Sequence, residues 1–149
     1  TKKEKVEEFI KNNLLDFGEL EKVHIFFEDI HICLIRKSDF LKELEKISAP
    51  STIMAENYYE IVKELCVSIG LAEGYKAIGE NAHKDIINFV KKYAFNEYEI
   101  EIMQDLRTRR NKSSYEGKPI EEIYLSNVKA DLQKIISKLK NVLSKMLEG

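Results

Sequence analysis

Three observations predict an all-α fold. Lys, Glu, Leu and Ile dominate a chain of 149 residues that holds only two Pro, six Gly and no Trp, a composition that favours long surface helices. Apolar residues recur at spacings of three and four in one segment after another. The last segment keeps that rhythm throughout: Leu125, Val128, Leu132, Ile135, Leu139, Val142 and Met146 alternate the two spacings, the 3.5-residue repeat of a left-handed bundle contact.

The elements follow in order. Val6, Phe9, Ile10 and Leu14 mark a first helix from Lys2 to about Leu15, with a break at Gly18. Leu20 to Ile47 reads as a long helix whose seam is Val23, Phe27, Ile30 and Leu34, either continuous or restarted at Ser38-Asp39, which has capping chemistry. Pro50 stops it, and Ser51 or Thr52 can cap the next helix. The chain therefore divides into an N-terminal helical arm, residues 1–50, and a helical bundle, residues 51–149.

Within the bundle, Met54, Tyr58, Ile61, Leu65 and Ile69 define a helix to about Glu73, eased at Gly70, with Gly74 beyond its end. Tyr58 and Tyr59 are read as core rather than as a base-stacking pair. A helix opening at Gly79-Glu80-Asn81 turns Ile86, Ile87, Val90 and Tyr93 inward, with His83 in its first turn as a cap or surface residue. Asn96 and Glu99 have the spacing of a capping box. They start a helix whose stripe is Tyr98, Ile102, Met103 and Leu106 and whose stop is Gly117, with Pro119 beyond. In the last helix Ile136 and Leu143 add a second apolar row, so it has faces enough for its own bundle and for another subunit.

Composition excludes several function classes. A net charge of −2 argues against a protein that coats nucleic acid over its whole surface, so any contact with it is local. Cys33 and Cys66 are the only cysteines and form no CxxC pair, which points to reduced, buried thiols. His24 and His31, two turns apart beside a helical seam with Glu28 and Asp29 between them, are read as flanking residues rather than metal ligands. No metal or other cofactor is expected. No apolar run approaches the roughly 18 residues of a membrane span, and the opening KKEKVEE lacks a signal-like core. A cytoplasmic protein without a membrane partner is the expectation.

The chemistry gathers near the end of the helix that begins at Asn96. Arg107, Arg109, Arg110 and Lys112 fall within six residues and are followed by Ser113, Ser114 and Tyr115, with Asn111 among them. Cations, an amide and hydroxyls on about two helical turns suit a phosphate. The same residues also suit a helix C-terminus, where cations complement the macrodipole. Arg110, four beyond Leu106, sits where the apolar stripe ends and must find a partner or line a cleft.

The run Arg110-Asn111-Lys112-Ser113-Ser114-Tyr115-Glu116-Gly117, late in an all-helical chain, resembles the HEPN family. Its motif is an arginine, usually a polar residue, a few variable positions and a histidine. The segment Gly74-Tyr75-Lys76 followed by His83-Lys84-Asp85-Ile86-Ile87-Asn88-Phe89-Val90 is also similar to HEPN proteins of archaea and bacteria. The resemblance implies a HEPN-like up-and-down helical bundle that dimerises, sets two motifs across a cleft and cuts RNA without a metal. It makes Arg110, Asn111 and Tyr115 the catalytic set, and Arg107, Arg109, Lys112 and Ser114 the contacts to flanking phosphates. It further implies a toxin paired with a minimal nucleotidyltransferase antitoxin.

Tyr115 stands where the family has histidine. A phenol, with a pKa of about 10, shuttles protons at neutral pH less well than an imidazole of about 6.5, so the departure bears on cleavage more than on binding. His83, the only histidine of residues 51–149, is the one replacement base in the bundle. The competing expectation is a non-catalytic interaction module whose basic turn docks an acidic protein partner or a nucleotide and whose long helices hold a dimer.

Overall fold

A computed structural model of the chain describes residues 36–148, with side chains as far as Met146. The expectations for the first helix, for the seam from Val23 to Leu34, and for His24, His31 and Cys33 lie outside these residues. The described chain is helical with turns between, and no strand occurs among the described residues. We number its helices α1 (36–46, helical from the first described residue), α2 (Ser51–Ala72), α3 (Ala82–Phe89, continued by a 3-10 turn Val90–Tyr93), α4 (Glu97–Glu116) and α5 (Glu122–Glu148).

Helix α2 is the axis of the fold. Residues on all its sides are buried, among them Met54, Tyr58, Tyr59, Ile61, Val62, Leu65 and Ile69, and it packs against α3, α4 and α5. Ser68, buried with them, donates its hydroxyl to the Glu64 carbonyl at 2.7 Å, which removes the cost of an unpaired polar group. The helix ends at Ala72 with Glu73 as its C-cap, followed by Gly74 in the left-handed region as the spacing predicted. At Gly70 the neighbouring helix comes close: a Cβ there would lie 2.5 Å from Ile86 Cδ1 and 3.2 Å from the Tyr75 carbonyl oxygen.

Helix α1 runs through Ser38 and Asp39 without a restart and lies antiparallel to α2. Leu44 enters the common core, Lys37 pairs with Glu60 and Glu64 at 3.6 and 3.5 Å, and Glu45 accepts from Tyr58 and pairs with Lys129 of α5. The described part of the expected arm thus shares one apolar cluster with residues 51–146.

Pro50 stands at the N-cap of α2, but neither hydroxyl after it caps that helix. Ser51 Oγ instead donates to the Ile120 carbonyl at 2.6 Å, and Thr52 Oγ1 accepts from the Ile120 N–H at 2.9 Å. Two residues with capping chemistry are spent on the backbone that leads into α5.

The α5 seam is borne out at Leu125, Leu132, Ile135, Leu139 and Met146, all buried, with Val128 and Val142 packed against the core. Ile136 and Leu143 are buried as well, so both apolar rows are covered within this chain. Tyr98 departs from the expected α4 stripe. It is 59% exposed, and its hydroxyl reaches Asp131 at 3.0 Å. Ile100 joins Ile102, Met103 and Leu106 as the buried face.

Candidate nucleic-acid interface

The basic end of α4 is set by signals at both ends of the helix. Asn96 accepts from the Glu99 N–H at 2.8 Å, and Glu99 Oε1 accepts from the Asn96 N–H at 3.0 Å. Gly117 stops the helix at φ 68°, with its N–H on the Ser113 carbonyl. Between them α4 runs antiparallel to α2 and α5, so its last turns face the start of both neighbours.

The four cations diverge around the helix. Arg110 turns to α2, where a guanidinium nitrogen lies 3.3 Å from Glu60 Oε1 and the group sits 5.5 Å from the centre of the Tyr59 ring. Arg109 turns to α5, paired with Asp105 at 3.0 Å and stacked 3.9 Å above the Tyr124 ring. Arg107 faces α3. Its Nε donates to Gln104 Oε1 at 2.8 Å, while the Gln104 amide donates to the Lys84 carbonyl and to Asn88 Oδ1. Lys112 is exposed.

Arg107, Thr108, Asn111, Lys112, Tyr115 and Glu116 line an open groove of about 250 Å³. Tyr115 is 81% exposed, and Ser114 is exposed on the same turn. Ser113 is taken up by Glu56, to which it donates at 2.9 Å. Arg110 lies outside this groove. At about 100° per residue, five residues turn a helix by roughly 140° net of a full circle, so one chain does not aim Arg110 and Tyr115 at one point.

Arg110 belongs to a second cluster, which the sequence reading missed. Tyr59 is fully buried on α2, and its hydroxyl lies 3.3 Å from Nδ1 of His83 on α3. His83 is not the cap, since Asn81 occupies the N-cap position; it is an exposed residue, as expected, but one whose ring is held by Tyr59. Burial pushes the Tyr59 phenol up to about 12, against the pull of Arg110 and Arg107, so it keeps its proton. Burial, followed by the positive charges of Lys63 and Arg110, holds His83 below its ordinary value of 6.5, with Glu60 opposing and Arg107 adding to the fall. At Glu60 burial acts upward, but hydrogen bonding to Lys63 and the charges of Lys63, Lys37 and Arg110 outweigh it and keep the carboxyl below its usual range. The one sequence signal for this cluster was that His83 had no rival as the histidine of the bundle.

The two faces together offer guanidinium groups, an ammonium, an amide and a phenol on an accessible surface, the donor set of an oxyanion or phosphate contact. Among the described residues no three His, Cys, Asp or Glu side chains are placed to hold a metal ion. None of the helices among the described residues is long and apolar enough to cross a membrane. Compared with known proteins, the chain matches no family model, no curated protein and no solved structure.

Proposed function

We propose that this is a HEPN-type, RNA-directed cytoplasmic protein that holds RNA or nucleotide phosphates on the last two turns of α4. The observation that carries the reading is the groove in which Arg107, Asn111 and Lys112 surround a Tyr115 side chain that is 81% exposed. A large phenol left in water beside two cations is placed for a ligand rather than for the core. Because Arg110 and Tyr115 point apart within one chain, a site that uses both draws them from two chains. A homodimer with an isologous interface across α4 supplies that, and a minimal nucleotidyltransferase is the partner the family resemblance brings with it.

In this reading cleavage is metal-independent and slow, with Tyr115 where a proton shuttle belongs. Tyr115→His raises RNA cleavage in the presence of chelator by about a hundredfold or more, and Arg110→Ala removes both cleavage and binding. RNA affinity is modest, because few cations are gathered on an otherwise acidic protein, and it falls with salt, the more steeply because a dimer doubles the cation set. If neither protein cleaves and Arg110→Ala binds RNA as the parent does, the reading fails.

One observation favours the interaction module instead: Arg109 and Arg110 already have carboxylate partners in Asp105 and Glu60. A protein that binds an acidic polypeptide but no RNA at low salt would establish that alternative.

A further inference from the structure

Three helices meet where Tyr59, His83 and Arg110 come together, and the groups there are unevenly charged. Around the His83 ring stand Lys63 and Glu60 from α2, and Arg107 and Arg110 from α4, with Lys84 next along α3 itself. Among the described residues Glu60 is the one carboxylate acting on the ring, and it is shared between Lys63 at 2.9 Å, Arg110 at 3.3 Å and Lys37 at 3.6 Å. Three cations against one divided carboxylate leave an excess of positive charge at an accessible imidazole. An anion would neutralise it.

The ring is also oriented. The Tyr59 hydroxyl is sealed in the core, and His83 Nδ1 is the hydrogen-bond partner the fold provides for it. A buried phenol that keeps its proton donates it, so Nδ1 is the acceptor and the neutral ring carries its own hydrogen on Nε2. That nitrogen is the donor left over for a ligand. If the ring becomes charged, Nδ1 turns donor and the Tyr59 hydrogen loses its acceptor, which opposes protonation unless a bound anion compensates.

We propose that the α2–α3–α4 face is a phosphate-binding site in which Arg107, Arg110 and Lys63 supply the charge and the His83 Nε2–H supplies the directed hydrogen bond. The inference rests on the reading of Arg110 as a phosphate contact and extends it from one helix to three. It makes His83 a donor to the ligand rather than the base that replaces the motif histidine. The ligand is a phosphate group, carried either at the end of a nucleotide or in an RNA backbone.

Linkage supplies the test, because an anion that touches the imidazole must raise its proton affinity. The proton resonances of His83, assigned by their loss in His83→Asn, are followed through a pH titration of the full chain. The titration is repeated with sulfate, whose charge is constant where imidazole titrates, and with inorganic phosphate. The expected result is an upward shift of the His83 midpoint with either anion, abolished by Arg110→Ala and by Lys63→Ala, and a phosphate affinity reduced roughly tenfold in His83→Asn.

Two oligoribonucleotides, with and without a 5′-phosphate, separate the sources. A response to the first alone assigns a terminal phosphate, and a response to both assigns the backbone. A His83 midpoint unmoved by sulfate and phosphate, with His83→Asn binding phosphate as the parent does, overturns the inference. If RNA still binds in an Arg110-dependent way in that case, the proposed function survives without it.

Discussion

Gly70 is a residue of α2 at which a Cβ would press on the neighbouring helix. Its missing Cβ leaves room for Ile86, which is 3% exposed and has little space to retreat. Alanine would gain about 1 kcal/mol in helix propensity and lose about 1–3 kcal/mol to overpacking. The expected outcome of Gly70→Ala is a net loss of about 1 kcal/mol in urea unfolding; a gain would show that Ile86 repacks without strain. Cys66 shows burial acting on chemistry at the same scale. It is fully enclosed on α2, and burial pushes its thiol up to about 12, so it is core filler and not a nucleophile.

Among the elements, α4 carries the most readable signals. Its capping box joins residues three apart, and its Gly117 stop is a local backbone requirement, so both were legible in sequence. Asn96→Ala removes an acceptor and leaves the Glu99 N–H unpaired at an exposed helix start. A loss of about 1 kcal/mol is expected in urea unfolding, and no change would mean that the first turn is held from elsewhere. What lay beyond the sequence was the direction of each cation. Arg110 meets Glu60 across 50 residues and Tyr59 meets His83 across 24, partnerships fixed by helix packing and not by spacing. Ser51 and Thr52 mark a second limit: the residue types that cap a helix also bind a passing backbone, and only the position of Ile120 decides between them. Tyr98 marks a third, since its ring stays in water while its hydroxyl is held by Asp131 of α5, a partnership that periodicity does not reveal.

At the scale of the whole molecule, His83 and Glu60 couple stability to pH in separate windows. The His83 proton affinity is depressed in the fold, so the unfolded chain takes up its proton first. Stability is constant above the ordinary imidazole value of 6.5 and declines as pH falls below it, until the folded ring is protonated too. The Glu60 carboxyl is also depressed, from 4.5, and its contribution is present above that value and lost as pH falls through the lower folded one. Urea midpoints measured from about pH 7 to about pH 3 should therefore fall in two stages. His83→Asn should flatten the upper stage and leave the lower. A single fall confined to the carboxylate range would show that the ring titrates as it does in water.

The hydroxyls of Ser51 and Thr52 hold Ile120 by its carbonyl and its N–H, one on each of the two peptide groups that flank it. Lys118 and Pro119 alone separate that grip from Gly117, where α4 stops. The connection has no slack. The basic end of α4 and the opening turn of α2 are thereby tied through a link of two residues. A shift in the last turn of α4 would therefore be felt at the head of the central helix, two residues beyond the end of one element and directly at the start of the other.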